Sequence, residues 1–377
     1  MDIKAFKSGV YVQQYQYKSF TPEPVNHSWI FTDPDVQQLL SDADRRLGEL
    51  NAFSQLVPDV DFFIRMHITK EATQSSRIEG TRTNMEEAFL DRQSVVPEHR
   101  DDWDEVRNYI DAIHYAIEQL DRLPLSNRLI KDTHNVLMRG VRGETKRPGE
   151  FRTSQNWIGV SLKDAVFVPP HQDELADLMG DLEKFIHNEE SRVPHLIKIA
   201  IVHYQFETIH PFLDGNGRIG RLMIALYFSS FGLLERPALY LSDYFERNKT
   251  HYVEHLMAVR ESDNLKGWLV FFLHGVVETA GKSIQVFKDI VALKLKLEQQ
   301  VLPYFSVRRQ QNAQDLVKYL YQMPIVRISD VATLLGINKN TAAVLVADFC
   351  KHNVIVEISG RQRNRLYVFA QYMNIFD

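Results

Sequence analysis

The most constraining feature of the sequence is an apolar helical pattern that stops at a glycine-rich turn and then begins again. The pattern covers 195–209, is interrupted by Gly215-Asn216-Gly217, and resumes directly afterwards. Glycine and asparagine tolerate positive backbone φ angles, so the chain can turn sharply at this point. The spacing predicts two helices joined by a tight turn, with the N-terminus of the second helix at the turn.

The polar residues around this turn are of the kinds that bind phosphate. Consecutive backbone N–H groups at 215–217 can form an anion-binding nest at the positive end of the second helix. Arg218 and Arg221 are spaced to share one helix face, so both guanidinium groups can reach the same anion. Asp214 offers a hard oxygen ligand for Mg²⁺. His210 can accept a proton near neutral pH.

Each of these residues also has a simpler structural interpretation. A histidine at a helix end is usually a hydrogen-bonding residue, and Gly-Asn-Gly is usually only a turn. Arginines at helical spacing are usually solvated, and an aspartate beside them is usually their salt-bridge partner. Because all of these features coincide between His210 and Arg221, the functional interpretation is favoured.

The stretch His210-Pro-Phe-Leu-Asp-Gly-Asn-Gly-Arg-Ile-Gly-Arg221 resembles the signature of the Fic (Fido) family of protein adenylyltransferases. It fits the family pattern H-x-F-x-[DE]-G-N-G-R-x-x-R at every position. The resemblance covers about 31–260, where 149–170 is similar to the family's target-docking hairpin and 242–252 to its adenosine-side segment. It implies a mainly α fold, with a Fic-type helical core and a short β-hairpin flap.

The resemblance implies a role for each signature residue. His210 would be the general base that deprotonates a Tyr, Thr or Ser hydroxyl for attack on the α-phosphate of ATP. Asp214 would hold Mg²⁺, and Arg221 would hold the γ-phosphate. The other ATP-binding residues implied are Gly215, Asn216, Gly217, Arg218, Gly220, Asn248 and Tyr252. For Tyr252, a core position is an equally good interpretation.

An inhibitory motif is indicated at the end of the second predicted helix, at about 60–80. Ser75-Ser-Arg-Ile-Glu79-Gly80 fits the family's pattern [ST]-x-x-x-E-[GN], although alone it would be a helix end with a solvated glutamate. The resemblance implies that Glu79 pairs with Arg221 and misplaces the phosphates of ATP. Some family members with this glutamate also remove AMP, so de-AMPylation by this chain stays open.

Three segments are predicted along the chain. An N-terminal helical segment, 1–100, begins with an extended arm up to Pro34. The Fic catalytic domain, 101–302, contains one helix over 244–260 and a long helix that ends near its boundary. The last segment, 303–377, has three short helices followed by two strands, which is the pattern of a winged helix-turn-helix.

The last segment has two interpretations. Arg361, Arg363 and Arg365 on the predicted wing are suited to DNA phosphates. The predicted recognition helix, which begins at Asn338, is mostly small and apolar, so a protein-interaction module or a homodimer contact is equally favoured.

Composition limits the binding partners and the cellular location that are expected for the protein. The net charge of −5 gives no overall attraction to nucleic acid or to anionic membranes. No segment has the length and apolar character of a membrane span. Cys350 is the single cysteine, so no internal disulfide can form. Without a signal-peptide pattern at the N-terminus, these features predict a soluble cytoplasmic protein.

The sequence as a whole predicts an ATP-using nucleotidyltransferase, restrained by Glu79, that transfers AMP to a protein docked on the hairpin at 157–168 or to itself. A nucleotide-sensing, DNA-binding regulator is the alternative from another class. Another nucleotide donor is an alternative within the enzyme class. The presence of His210 favours the enzyme, because a sensor has no need of a base.

Overall fold

The fold is mainly helical. A computed structural model describes residues 3–56 and 60–376, apart from the side chains at 4, 56 and 60–62. Helices predominate and the strands are few and short, so the predicted fold class is confirmed. Within the described ranges, no helix combines the length and the apolar character needed to cross a bilayer.

The N-terminal segment consists of a hairpin followed by helices: β1 (Gly9–Gln13), β2 (Lys18–Pro22), α1 (Pro34–Leu56), α2 (Val60–Ile78) and α3 (Met85–Ala88). The expectation of an extended arm before Pro34 is wrong, because β1 and β2 pair antiparallel. Tyr11 packs edge-on against Phe20, and the Phe20 N–H donates to the Val168 carbonyl at 2.9 Å. The hairpin thus gains partners from a distant part of the chain.

The central helices surround one buried pair. They are α4 (Arg100–Leu120), α5 (Asn127–Leu137), α6 (Leu175–His187), α7 (His195–Ile209), α8 (Asn216–Ser230), α9 (Ser242–Arg247), α10 (Lys249–Ser262) and α11 (Leu265–Gln300). A short hairpin of β3 (Ile158–Gly159) and β4 (Ala165–Phe167) precedes α6. Helices α7 and α8 are buried on nearly all sides, as their continuous apolar sequences require. The turn that joins them is therefore held by a rigid core.

The helix predicted over 244–260 is two helices, and that prediction is corrected here. Asn248 lies between α9 and α10 with φ −113° and ψ 31°. Its side-chain amide donates to the Tyr244 carbonyl at 2.9 Å. An asparagine side chain that binds a nearby backbone carbonyl competes with helix continuation, which explains the break.

The C-terminal segment has the predicted order of three helices and a hairpin, together with one strand and a final short helix that were not predicted. Its elements are α12 (Val307–Gln322), β5 (Ile325–Val326), α13 (Ile328–Leu335), α14 (Lys339–Lys351), β6 (Val356–Glu357), β7 (Tyr367–Val368) and α15 (Ala370–Met373). The strand order is β5–β7–β6, with both pairs antiparallel. Gly336 ends α13 at φ 62°, and the Asn338 side chain caps α14.

The C-terminal segment packs directly on α2. The ring of Phe63 meets Tyr321 edge-on at 5.4 Å between centroids, and Tyr372 at 6.3 Å. Further along α2, the Lys70 ammonium donates to the Phe376 carbonyl. Because Phe63 and Tyr372 are almost fully buried, this contact is a continuous part of the core.

Replacing Phe63 tests the strength of this contact. We expect Phe63→Ala to lower the free energy of unfolding by about 3–5 kcal/mol, since it removes a buried aromatic side chain. Urea denaturation followed by tryptophan fluorescence measures the change. Val10→Ala, at an exposed position on β1, is the control and should change stability by less than about 0.5 kcal/mol. Equal effects of the two substitutions would contradict the packing.

Candidate active site

His210 lies where α7 ends. Its backbone is left-handed, with φ 50° and ψ 60°, and its N–H donates to the Phe206 carbonyl at 2.9 Å. The His210 carbonyl accepts hydrogen bonds from Arg152 Nε at 3.0 Å and from Asn156 Nδ2 at 3.1 Å. These two side chains come from the segment leading into β3. They fix the backbone of His210, and so they set the direction of its imidazole.

The loop after His210 is held by a reciprocal contact. Asn216 Oδ1 accepts from the Phe212 N–H and Asn216 Nδ2 donates to the Phe212 carbonyl, both at 2.8 Å. Phe212 is fully buried and stacks on the His134 ring at 3.8 Å between centroids. The Asn216 side chain is therefore occupied in shaping the loop, and its backbone N–H remains the group suited to a ligand.

The first turn of α8 follows a glycine in the left-handed conformation. Gly215 adopts φ 75°, a conformation that favours glycine, and a side chain there would come within 2.9 Å of Met138 Sδ. The first N–H groups of an α-helix have no partner within the helix. Here they follow Gly215 directly, so their partial positive charges and the helix dipole meet at one point.

Asp214 presents a carboxylate at the mouth of this turn. Its side chain is 40% exposed, and Oδ1 accepts the Gly215 N–H at 2.6 Å. The Gly149 N–H donates to His134 Nδ1, so Nε2 carries the proton and donates to the Asp214 carbonyl at 3.0 Å. His134 thus fixes the Asp214 backbone and leaves its carboxylate open.

Asp214 suits a metal ion that is shared with a ligand. In the described part of the chain, no group of three or more His, Cys, Asp or Glu side chains is placed to hold a metal ion. Mg²⁺ commonly takes one or two protein carboxylates and completes its shell with phosphate oxygens and water. A single, partly exposed carboxylate beside an anion site fits that arrangement.

Arg221 is buried and bound by the end of α2. Its Nη2 lies 2.6 Å from Glu79 Oε1 and 3.0 Å from the Ser75 carbonyl, and its Nε donates to Ser75 Oγ at 2.8 Å. A side chain at Gly217 would overlap Glu79 Oε1. The Glu79 carboxylate therefore lies directly against the first turn of α8, where an anion would bind.

Burial and charge set the protonation of these groups. Burial alone would raise the pKa of the Glu79 carboxyl, but the charge and the hydrogen bond of Arg221 outweigh it and lower the pKa. Burial lowers the pKa of His210 to about 4, with the nearby charges of Arg260 and Arg152 as further causes. Burial raises the pKa of Glu207 to about 7. At neutral pH, Glu79 is ionised and His210 is a neutral base.

Two models of the Fic/DOC family match the chain. The family's N-terminal model matches residues 37–118, and the model of the Fic/DOC family itself matches 124–228, which includes His210, the loop and most of α8. These two segments of the chain thus resemble Fic/DOC family domains.

Relatives of the Fic domain are named protein adenylyltransferase Fic. The Drosophila willistoni protein is 29% identical over 232 residues, which are 57% of this chain and 44% of that protein. The Aedes aegypti protein is 25% identical over 273 residues, which are 67% of this chain and 51% of that protein. This chain thus spans about half of these relatives or less.

Solved structures share the fold. A Fic family protein from Desulfovibrio desulfuricans is 20% identical with a TM-score of 0.57, and the match covers 91% of this chain and 98% of that one. A Fic domain signalling protein from Bacteroides thetaiotaomicron is 17% identical with a TM-score of 0.51, over 67% of this chain and 97% of that one.

Arg218 has a protein partner that the sequence did not indicate. It is buried and pairs with Glu105 on α4 at 3.1 Å, and it lies 3.8 Å from Asp214. Glu105 also pairs with Arg142 at 3.3 Å. Arg218 is thus held behind the loop at 210–217 (the Fic loop), and it would act on a phosphate through its charge.

Two predicted ATP-binding residues, Tyr252 and Gly220, have structural roles in the core. The Tyr252 hydroxyl is bonded to His203 Nε2 at 2.9 Å, and its ring stacks on Phe245 with little exposure, which favours the core interpretation. A side chain at Gly220 would overlap Glu207, so this glycine allows α7 and α8 to approach closely. Asn248 is half-buried at the start of α10, beside Lys249, which donates to the Ile78 carbonyl.

The flap before the Fic loop is exposed and apolar. Strands β3 and β4 carry or flank Trp157, Val160 and Val166, which are 42%, 92% and 65% exposed. The N–H of Phe20 pairs with the flap at the Val168 carbonyl. The predicted hairpin at 157–168 is present, and the N-terminal hairpin lies beside it.

The low pKa of His210 can be measured directly. In an NMR titration of the imidazole we expect a midpoint of about 4, compared with about 6.5 for an unperturbed histidine. The folded state then binds fewer protons than the unfolded state between these values. The stabilisation from this neutral group is accordingly lost as the pH falls through that window. His210→Gln identifies the resonance, and a midpoint near 6.5 would contradict the assigned environment.

Proposed function

We propose that this chain is a protein adenylyltransferase that transfers AMP from ATP to a hydroxyl group of a protein, releasing pyrophosphate. The observation that carries the proposal is the convergence of three groups. A neutral His210, the free N–H groups at the start of α8, and the Arg221 guanidinium all lie around one loop. The names of the relatives support the same activity.

The phosphates of ATP would lie against the first turn of α8. The N–H groups of Asn216 and Gly217 would bind them, with Arg221 on the γ-phosphate and the charge of Arg218 behind the loop. Asp214 would hold Mg²⁺ together with phosphate oxygens, and the ion supplies neutralisation of the phosphate charge. Preorganised donors of this kind are the main source of rate in phosphoryl transfer.

The reaction requires one proton acceptor. The target hydroxyl oxygen forms a bond to the α-phosphorus, the bond from that phosphorus to the oxygen bridging to the β-phosphate breaks, and pyrophosphate leaves. His210 takes the hydroxyl proton. Because burial keeps the imidazole neutral at pH 7, nearly every molecule has the base in its active form.

The flap is the proposed docking site for the protein target. An extended segment of the target can pair with an exposed strand edge, which holds a hydroxyl in register with little demand on sequence. The exposed Trp157, Val160 and Val166 would cover its apolar side chains. The acceptor on this surface is another protein or a second site of the chain itself.

Glu79 would act as a built-in brake. It occupies the guanidinium of Arg221 at 2.6 Å and lies where the phosphates would bind. ATP held around it has misplaced phosphates, and a displacement of about 1 Å can reduce a rate roughly a hundredfold. The brake follows Ile78, the last helical residue of α2, so Glu79 can be replaced without disturbing the helix.

Replacing Glu79 is the decisive test. We expect Glu79→Gly to raise the transfer of AMP roughly a hundredfold, because Arg221 becomes available to the γ-phosphate. Intact-mass spectrometry of the protein after incubation with ATP and Mg²⁺, and labelling of lysate proteins from α-labelled ATP, measure the transfer. Glu98→Gly, at an exposed position, is the matched control and should leave transfer unchanged.

The same assay separates the alternatives. In the Glu79→Gly protein, His210→Ala should reduce transfer by about two to four orders of magnitude. If that double variant transfers AMP as well as Glu79→Gly does, His210 is not the base. If the wild type and Glu79→Gly transfer AMP equally, Glu79 is not inhibitory. Competition by UTP or a cytidine nucleotide tests the donor. Loss of AMP from a labelled target, dependent on Glu79, would indicate de-AMPylation.

We further propose that 303–377 is a winged helix-turn-helix. Helices α12, α13 and α14 followed by the sheet β5–β7–β6 support this assignment. The wing arginines at 361, 363 and 365 are exposed, which favours DNA over a protein partner for this face.

DNA binding predicts a strong dependence on salt. Each phosphate contact contributes about 0.9 to the slope of log affinity against log salt concentration. We therefore expect Arg361→Gln, Arg363→Gln and Arg365→Gln together to weaken binding and to reduce that slope by about 2–3, measured by electrophoretic mobility shift. Arg45→Gln with Arg128→Gln, both exposed, is the control. An unchanged slope in the wing variant would favour the protein-interaction module.

A further inference from the structure

A groove distant from the Fic loop lies between α2 and α4. It has a volume of about 540 Å³, and residues 236–237 and Gln322, at the end of α12, also line it. This volume is in the range of pockets that hold small organic ligands. None of the residues assigned above to ATP, to the flap or to the brake lines it.

The floor of the groove is aliphatic. Ile64 and Ile68 come from α2, and Ile110 and Ile117 from α4. The first three are at least nine-tenths buried, whereas Ile117 is only partly buried. The described lining contains no Phe, Tyr or Trp. A purine or another flat ring would find no stacking partner here, and a saturated chain would fit the surface better.

The rim of the groove is basic. Arg65 and Arg107 line it, together with Arg236 and His114. In the described chain, neither Arg65 nor Arg107 has a carboxylate within ion-pair distance of its guanidinium. Burial, and then the charge of Arg107, lower the pKa of Arg65. Two like charges thus line one groove with an apolar floor, and an anion bound there would relieve their repulsion.

We propose that this groove binds an amphipathic anion, with a carboxylate or phosphate head group between Arg65 and Arg107 and a saturated chain along the isoleucines. Guanidinium groups bind both kinds of head group through paired hydrogen bonds. Inorganic phosphate would leave the aliphatic floor exposed to water, and an uncharged alcohol would leave the two arginines facing each other. Binding therefore requires both the anionic head group and the saturated chain of the ligand.

Asp111 provides an internal check on the charge argument. It is the one acidic residue in the described lining, and it is exposed. Its carboxylate would repel an anionic head group. Removing its charge should strengthen binding, whereas removing the arginine charges should weaken it.

Calorimetric titration of the full chain tests the proposal. The probes are decyl phosphate and decanoate, used below their micelle concentrations, with inorganic phosphate and 1-decanol as comparisons. We expect both anions to bind with one molecule per chain, and the two comparisons to bind at least about tenfold more weakly. Preference between the two head groups shows which kind the groove suits better.

Three variants test which residues of the groove contribute to binding. Arg65→Gln with Arg107→Gln should weaken binding of decyl phosphate by about a hundredfold, at roughly tenfold for each lost charged contact. Asp111→Asn should tighten it by roughly threefold, the scale of an exposed charge contact. Arg45→Gln with Arg128→Gln should have no effect. Thermal melting checks that each variant is folded.

Several outcomes would overturn the proposal. One is the absence of saturable binding by either anion at millimolar concentration. Another is equal binding of the cation decyltrimethylammonium, which would show that the groove recognises only the alkyl chain of the ligand and not its negative charge. A third is unchanged affinity in the folded double-arginine variant. Because AMP transfer is not measured, the result is independent of the activity proposed for the Fic loop.

Discussion

The guanidinium of Arg221 is the charge around which the site is organised. Its side chain is 2% exposed, and a buried charge without a partner is strongly destabilising. An anion beside Arg221 therefore stabilises the folded chain. In this structure the anion is Glu79, supported by the hydroxyl and the carbonyl of Ser75. Any ligand that reaches Arg221 has to replace a contact that is already well made.

The same burial that constrains Arg221 sets the chemistry of its neighbours. Helices α7 and α8 form a buried, apolar environment. This environment lowers the pKa of His210 to about 4 and raises the pKa of Glu207 to about 7. Desolvation acts in opposite directions on a base that is neutral when deprotonated and an acid that is charged when deprotonated. One apolar environment therefore keeps the imidazole of His210 neutral and the carboxyl of Glu207 partly protonated at neutral pH.

The sequence was most informative where structure depends on neighbours along the chain. The apolar pattern at 195–209 predicted α7 over its full length, and of the turn residues 215–217, for which positive φ was expected to be tolerated, Gly215 adopts it. The sequence did not indicate which distant side chains complete the site. Glu105 lies more than a hundred residues from its partner Arg218, and no local pattern connects them.

Placement in the core was equally hard to predict. Tyr252 and Gly220 belong to segments similar to known nucleotide contacts, yet one bonds to His203 and the other allows two helices to approach. The break at Asn248 depends on a single side-chain hydrogen bond. Such details follow from packing across the fold, because a short segment contains no information about what will face it.

The attachment of α2 at both ends limits how the proposed inhibition by Glu79 could be relieved. Near its start, Phe63 is enclosed by Tyr321 and Tyr372, and at its end the Ile78 carbonyl is held by Lys249. A rigid-body movement of α2 would break both the aromatic contacts of Phe63 and the hydrogen bond from Lys249 to the Ile78 carbonyl. A rotation of the Glu79 side chain about its own bonds breaks only the contact with Arg221. In the proposed inhibition, release of Glu79 is therefore a local, side-chain event that breaks one ion pair, while α2 stays in place.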